Sequence, residues 1–305
     1  SKQVFSILNR YSPIIEAVSI DEAFLDISGC SRLYGSPEKI GCLIKEQVNS
    51  ELGLTISVGI SYNKFLAKLA SDMDKPDGLR IITENQALEI LRPLPVGRLW
   101  GVGQKTQQRL ERMGIKNIGD IQRLSPEWLE NRLGSAGRLF WELAHGIDKR
   151  AVEPERERKS LGREVTFPKD INDITYLEKL IAQFAAELCL RLRREDLLAA
   201  SITLKLRYSN FKTITRSKTI TPCNSDLTVT QIAVEILHHS YTNNQPLRLL
   251  GLSLGHLSSA SSLQQGSLFG PQFNADYKNI DQLMDEIRER FGPKAITRAN
   301  LLNNN

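Results

Sequence analysis

In the stretch VSIDEAFLDIS, Val18 to Ser28, two acids stand side by side at Asp21 and Glu22, and a third follows at Asp26. Neighbouring residues on a regular strand face opposite sides, so Asp21 and Glu22 can converge only where a strand begins or turns. Two carboxylates brought together repel, and each resists ionisation unless a cation sits between them. Mg²⁺ takes a few carboxylates together with water and phosphate oxygens. A converging pair at a strand mouth therefore suits a metal–triphosphate complex, although the same residues on a surface turn would serve solubility alone. Asp26, further along the strand, reads as structural.

Basic residues recur downstream. In SYNKFLAKLASDMDKPDG, Lys64 and Lys68 are four apart and share a helix face. Lys75 follows at the helix end, where an ammonium can hold a terminal phosphate as a point charge; a solvated basic face is the alternative. In LPVGRLWGVGQKTQQRLERMGIKNIGDI, Gly101, Val102 and Gly103 fall between two helices. Glycines let the backbone approach a phosphate, and the helix that follows aims N–H groups outward, with Lys105 adding charge. This is the pattern of a helix-hairpin-helix, whose contacts position nucleic acid without reading its sequence, and a plain turn between two helices is the alternative.

Two further stretches could meet partners. In SITLKLRYS the apolar set is Ile202, Leu204, Leu206 and Tyr208, leaving Thr203, Lys205, Arg207 and Ser209 on the other face. With Lys212, Arg216 and Lys218 on the next strand, the expectation is a flat basic face fit for a duplex backbone, or else a solvated antiparallel face. In LQQGSLFGPQF, Gln265, Leu268 and Phe269 place apolar side chains in a polar stretch. They suit an apolar pocket on a partner, or pack back on their own domain.

The elements that must position these residues follow from periodicity. Residues 17–28 read as a strand pair or a strand with a turn near Asp21, 37–52 as a helix, 54–61 as a strand, 63–73 as a helix and 79–83 as a strand. Together these give an α/β sheet with helices packed on it. Residues 85–146 are helical with glycine punctuation, and the charged, Pro-containing stretch after them has linker composition. A second unit follows in the order β-α-β-β-α-β across 161–256, and a last helix spans 279–291. The fold class is therefore α+β and multi-domain.

Composition narrows the function. Residues 1–90 carry a charge of −3, 91–160 of +5 and 161–260 of +3, which fits an acidic metal-holding domain beside domains that grip a polyanion. The cysteines, Cys30, Cys42, Cys189 and Cys223, form no C-x-x-C pair, and the four histidines show no ligand spacing. Disulfides, zinc and His-based catalysis have little support. No apolar run is long enough to span a bilayer and no signal peptide is visible, so the expected location is the cytoplasm with no membrane partner.

Together, SIDEAFLDIS, VGISYNKFLAKLASDMDKPDG, LWGVGQKTQQRLERMGIKNIGDI and RKSLGREVTF resemble the Y-family DNA polymerases in order and spacing over essentially the whole chain. The resemblance implies a partial, ferredoxin-like palm over 1–90, a helical thumb over 91–150, a linker over 151–160, a βαββαβ little finger over 161–257 and a tail over 258–305. It implies that Asp21 and Glu22 bind two Mg²⁺ ions and that Lys75 lies near the deoxynucleotide triphosphate. DNA-binding residues would include Lys64, Lys68, Gly101 to Gly103, Lys105, Lys159, Arg163, Lys205, Arg207, Arg216 and Lys218. Gln265, Leu268 and Phe269 resemble a sliding-clamp-binding peptide, and the enzyme is expected to be a monomer that extends primer-template DNA with low fidelity. The family's first metal-binding segment, D-x-D-x-F-[FY], has no match in the 20 residues before Asp21. The chain is thus expected to be a piece of a longer enzyme or a natural truncation that binds DNA and polymerises poorly or not at all, the alternative function being a catalytically incomplete fragment that acts only as a primer-template and sliding-clamp binding module.

Overall fold

The computed structural model describes residues 1–154, 158–241, 245–261, 275–292, 295, 296 and 298. Its contacts divide the chain into two compact units, Ser1–Arg156 and Glu157–Asn305.

In the first unit, α1 (Lys2–Leu8) leads into β1 (Ile15–Ala17) and β2 (Ala23–Leu25), an antiparallel hairpin with Glu16 opposite Phe24. After α2 (Ser31–Tyr34), the Ser36 side chain caps α3 (Pro37–Leu52) at the Lys39 N–H, and Gly53 closes it in the left-handed region at φ 64°. β3 (Val58–Ser61) and β4 (Leu79–Ile82) pair in parallel and are joined by α4 (Lys64–Met73), which Asn63 caps at the Leu66 N–H. The single sheet expected from the sequence is thus two separate ladders. The strand expected from Leu54 starts at Val58, because β4 pairs it residue for residue over only that span.

α4 lies very close on β3. A Cβ at Gly59 would fall 2.0 Å from the Ala67 carbonyl oxygen, so only glycine permits the contact. Then come α5 (Glu84–Leu91), a 3₁₀ turn at Val96–Arg98, α6 (Gln104–Arg112), α7 (Ile118–Gln122), α8 (Pro126–Leu133) and α9 (Ser135–Ala144). Phe65, Leu66 and Leu69 of α4 share one core with Leu91, Leu110, Ile118, Leu129 and Leu143. Each such side chain contributes about 1.5–3 kcal/mol on burial. α4 therefore takes its position from the strand beneath it and from the helices that follow.

The second unit is a four-stranded antiparallel sheet in the order β5-β8-β6-β7. It is built from β5 (Ser160–Ile171), α10 (Ile174–Arg194), β6 (Leu197–Tyr208), β7 (Thr213–Cys223), α11 (Asp226–Ser240) and β8 (Leu247–Ser259). This is the β-α-β-β-α-β order expected from periodicity. Leu161, Ile202, Leu204, Leu206, Leu252 and Leu254 bury one sheet face against α10 and α11. A last helix, α12 (Ala275–Phe291), is fastened by Arg193, which pairs with its Asp285 at 2.5 Å, and by Arg298, which joins its Asp281 to Asp226 of α11. Burial raises the pKa of the Asp281 carboxyl within this cluster.

Candidate functional site

Asp21 and Glu22 lie outside the strands, on the turn between β1 and β2, so pleat alternation does not force them apart. The Glu22 carbonyl closes the turn by accepting from the N–H groups of Val18 and Ser19 at 2.9 and 3.2 Å. Asp21 is exposed and accepts from the Ser19 hydroxyl. The Glu22 carboxylate takes a different partner, the Lys68 ammonium, at 3.0 Å. Lys68 also meets Asp72 at 2.8 Å, and the other oxygen of Asp72 meets Lys75 at 2.6 Å. A chain of alternating charge thus runs Glu22, Lys68, Asp72, Lys75. Partial burial opposes the charges of Lys68 and Asp72. Their mutual hydrogen bonds and those to Glu22 and Lys75 outweigh it, raising the Lys68 pKa and lowering that of Asp72. The Asp26 carboxylate, expected to be structural, accepts from the hydroxyl and N–H of Ser28, which lower its pKa.

Two lysines expected at DNA face the hairpin instead. Lys64 is 5% exposed, and its ammonium pairs with the equally buried Glu16 of β1. It also donates to the Ala151 carbonyl at 3.0 Å and sits 5.2 Å from the Phe24 ring centroid. Glu16 accepts from the Glu153 N–H as well, at 3.0 Å. A buried charge must be paired, which is why this lysine turns inward rather than to a polyanion. Lys68, one turn on, is engaged by Glu22 and Asp72. The lysine face of α4 is a docking face for an acidic hairpin.

The same corner holds the chain that leaves α9. Asp148 accepts from the Phe65 N–H at 3.0 Å and from Arg150, whose guanidinium lies 4.8 Å from the Trp100 ring centroid. Burial works against the Asp148 charge, but the bonds from Arg150 prevail and hold its pKa low. Trp100 in turn stacks on Phe24 at 5.7 Å.

At the expected hairpin turn, Gly101 adopts φ 88°, Val102 is buried, and Gly103 is the N-cap of α6 with no side chain capping the helix. Lys105 is exposed in the first turn. The N-terminal end of α6 thus offers backbone donors beside a cation, which suits an anion.

In the second unit, register sorts the basic residues by face. Residues directly opposed across a ladder share a face. Lys205 opposes Thr215 and Gly251, and Thr203 opposes Ser217 and Ser253, all on the face away from the helices. Arg207 opposes Thr213 on that face and donates to its hydroxyl at 3.0 Å. Arg216, however, opposes buried Leu204, and Lys218 opposes buried Ile202. These two face the helices, where Lys218 meets Glu235 of α11 at 2.7 Å. Arg163 opposes Leu252 and meets Glu187 of α10 at 3.3 Å. The expectation that Arg216 and Lys218 share one basic face with Lys205 and Arg207 is therefore corrected, and Arg163, expected at DNA, also turns to the helices. The parity of β7 already contained the answer, since Arg216 and Lys218 alternate in step with half-buried Ile214 and Ile220. What remains on the open face is rich in hydroxyls, and Lys205 is matched by Glu164 at 2.8 Å. Lys159 is exposed just ahead of β5.

Gln265, Leu268 and Phe269 lie outside the described residues. Sequence reading passed over Asp72 and Glu16. The i,i+4 and i,i+3 spacing of Asp72 to Lys68 and Lys75 could have revealed the first. Glu16 and Lys64 are 48 residues apart, and no local pattern reports such a pair.

Comparison with known proteins places this geometry in context. The impB/mucB/samB family matches residues 1–72, the DNA polymerase-iota thumb domain matches 97–148, and the impB/mucB/samB family C-terminal domain matches 158–268. The chain is 35% identical to "DNA polymerase IV" of Desulfatibacillum aliphaticivorans, covering 99% of this chain and 77% of that one. It is 40% identical to "DNA polymerase IV" of Alkalilimnicola ehrlichii over 88% of this chain and 76% of that one. Among solved structures it is similar to the "Y-family DNA polymerase chimera Dbh-Dpo4(243-245)-Dbh", with a TM-score of 0.74, 26% identity, and coverage of 85% of this chain and 75% of that chain.

Leaving one member of a buried ion pair alone costs about 3–5 kcal/mol. Glu16→Ala should therefore lower the urea unfolding stability of the chain by about that amount, and Lys64→Met in the same molecule should restore most of it. A loss of under about 1 kcal/mol would show that the pair is solvated rather than buried.

Proposed function

Because this chain belongs to the impB/mucB/samB family, the Y-family of DNA-directed DNA polymerases, we propose that it carries out translesion synthesis, with Asp21 and Glu22 as its metal-binding carboxylates. The observation that carries the reading is the acid corner itself. Two acids leave a tight turn beside a helix whose Lys68 holds Glu22, and Lys75 follows just past the end of that helix. In the reaction a primer 3′-hydroxyl oxygen bonds to the α-phosphorus of a deoxynucleotide triphosphate. The bond from that phosphorus to the bridging oxygen breaks, pyrophosphate leaves, and the hydroxyl proton is released.

The donor set of Asp21 and Glu22 fits Mg²⁺, a hard ion that completes its shell with water and phosphate oxygens. Two Mg²⁺ ions in this site would supply neutralisation of the attacking and leaving oxygens. Lys75 would hold the terminal phosphates as a point charge. A site that grips its nucleotide loosely discriminates weakly, which accords with low fidelity and use in damage tolerance.

Gly101 to Gly103 and Lys105 would hold the DNA backbone. Lys159, Lys205 and Arg207 would hold it from the second unit, and Gln265, Leu268 and Phe269 would engage the sliding clamp. The palm, thumb, linker, little-finger and tail boundaries given above are part of this reading, as are a monomeric state and a cytoplasmic location. Among the described residues no helix is long and apolar enough to cross a membrane.

A second reading is a chain that only binds primer-template and clamp. Primer extension by this chain beside the same chain joined to an upstream D-x-D-x-F-[FY] segment separates the two readings.

Asp21→Ala and Glu22→Ala should each lower primer extension by about 10²–10³-fold or more, as for loss of an electrostatic stabiliser of the transition state. Extension within twofold of the unaltered protein would remove both residues from the site. Arg207→Gln should weaken DNA binding and reduce the salt slope by about one, whereas Lys218→Gln should change neither. Equal effects of the two would contradict the assignment of faces. Alanine at both Leu268 and Phe269 should abolish clamp binding in a pull-down, and retained binding would reject that peptide.

A further inference from the structure

We propose that Asp72 is a positioning residue for the incoming triphosphate. One of its oxygens aims Lys75 while the other holds Lys68 against Glu22. The proposal rests on the assignment of Lys75 to the triphosphate given above. Asp72 lies in the last turn of α4, where helix geometry sets its carboxylate beside the lysine four residues before it, and the chain leaving the helix brings Lys75 to the same carboxylate. Its two oxygens are divided between them, with Oδ2 on Lys68 at 2.8 Å and Oδ1 on Lys75 at 2.6 Å.

Other acids of the following loop look elsewhere. Asp74 lies 3.7 Å from Arg80, and Asp77 meets Lys45 at 2.7 Å. Asp72 is therefore the acid that links the carboxylate corner to Lys75.

The link has a physical use. Lys75 lies past the end of α4 with its side chain about half exposed, at 52%. A lysine left to itself there loses much rotamer freedom when a phosphate orders it. A hydrogen bond from Asp72 orders it beforehand. An ammonium carries three donors, so Lys75 can keep Asp72 and still give hydrogens to phosphate oxygens. Lys68 has the same capacity, holding Asp72 and Glu22 together. Asp72 is itself held firm, because buried Leu69 and Ala70 and the close contact at Gly59 fix the helix that carries it. Charge alone predicts the opposite effect of its removal. Deleting a carboxylate near a phosphate site should tighten the binding of an anion, whereas deleting a positioning group should weaken it.

Titration calorimetry with inorganic pyrophosphate, the leaving product, tests this on the chain itself. Lys75→Met should weaken binding about tenfold and Asp72→Asn about three- to tenfold, while the double variant should bind no more weakly than Lys75→Met. Asp72→Glu should restore most of the loss, which a merely structural role would not predict. If the unaltered chain takes up no pyrophosphate, or Lys75→Met changes nothing, the assignment of Lys75 falls and the proposal falls with it. If Lys75→Met weakens binding but Asp72→Asn leaves it unchanged, tightens it, or adds its full effect to that of Lys75→Met, the role of Asp72 alone is overturned.

Discussion

Two lysine–glutamate pairs join α4 to the β1–β2 hairpin, and the rest of the first unit is arranged so that they can form. Lys64 reaches Glu16 where both are buried, and Lys68 reaches Glu22 at the edge of solvent. One turn of helix separates the two lysines, and the hairpin turn separates the two acids. The inner pair is structural, since a buried charge without its partner is costly. The outer pair is of the kind a functional site can use, being exposed enough to exchange partners. The clearance at Gly59 and the shared core with the later helices fix α4, and through α4 they fix both pairs.

The second unit separates its charges by the pleat rather than by burial. Its open face carries Thr203, Lys205 and Arg207 of β6 with Thr213, Thr215 and Ser217 of β7 and the small Gly251 and Ser253 of β8. Small hydroxyl-bearing residues can donate to phosphate oxygens at many places without fixing one sequence. The cations on the other face, Arg163 and Lys218, pair with acids on α10 and α11. They tie the sheet to its helices and add little to any field in front of it.

Much of this was legible in the sequence. α3 follows from Ser36, Pro37 and Gly53, which punctuate it at both ends. The order of strands and helices in the second unit follows from strict alternation in β6 and from the apolar stripe of α10. The turn that frees Asp21 and Glu22 from pleat alternation was foreseen by the same reasoning. What escaped was long-range. The inward course of Lys64 depends on a residue 48 positions away. The division of the first unit's strands into two ladders depends on which partners each finds in space. Arg216 and Lys218 were a different case, since parity with Ile214 and Ile220 stood in the sequence, but charge was read ahead of it.

On the proposed reading, the turn bearing Asp21 and Glu22 seats a divalent ion beside α4. A Mn²⁺ titration of isotope-labelled chain followed by NMR, reading paramagnetic broadening residue by residue, locates that ion. Broadening should begin at the amides of 19–23 and spread to the flank of α4 that carries Lys68 and Asp72. Broadening centred on any other acidic cluster, or spread evenly over the acidic surface, would contradict it.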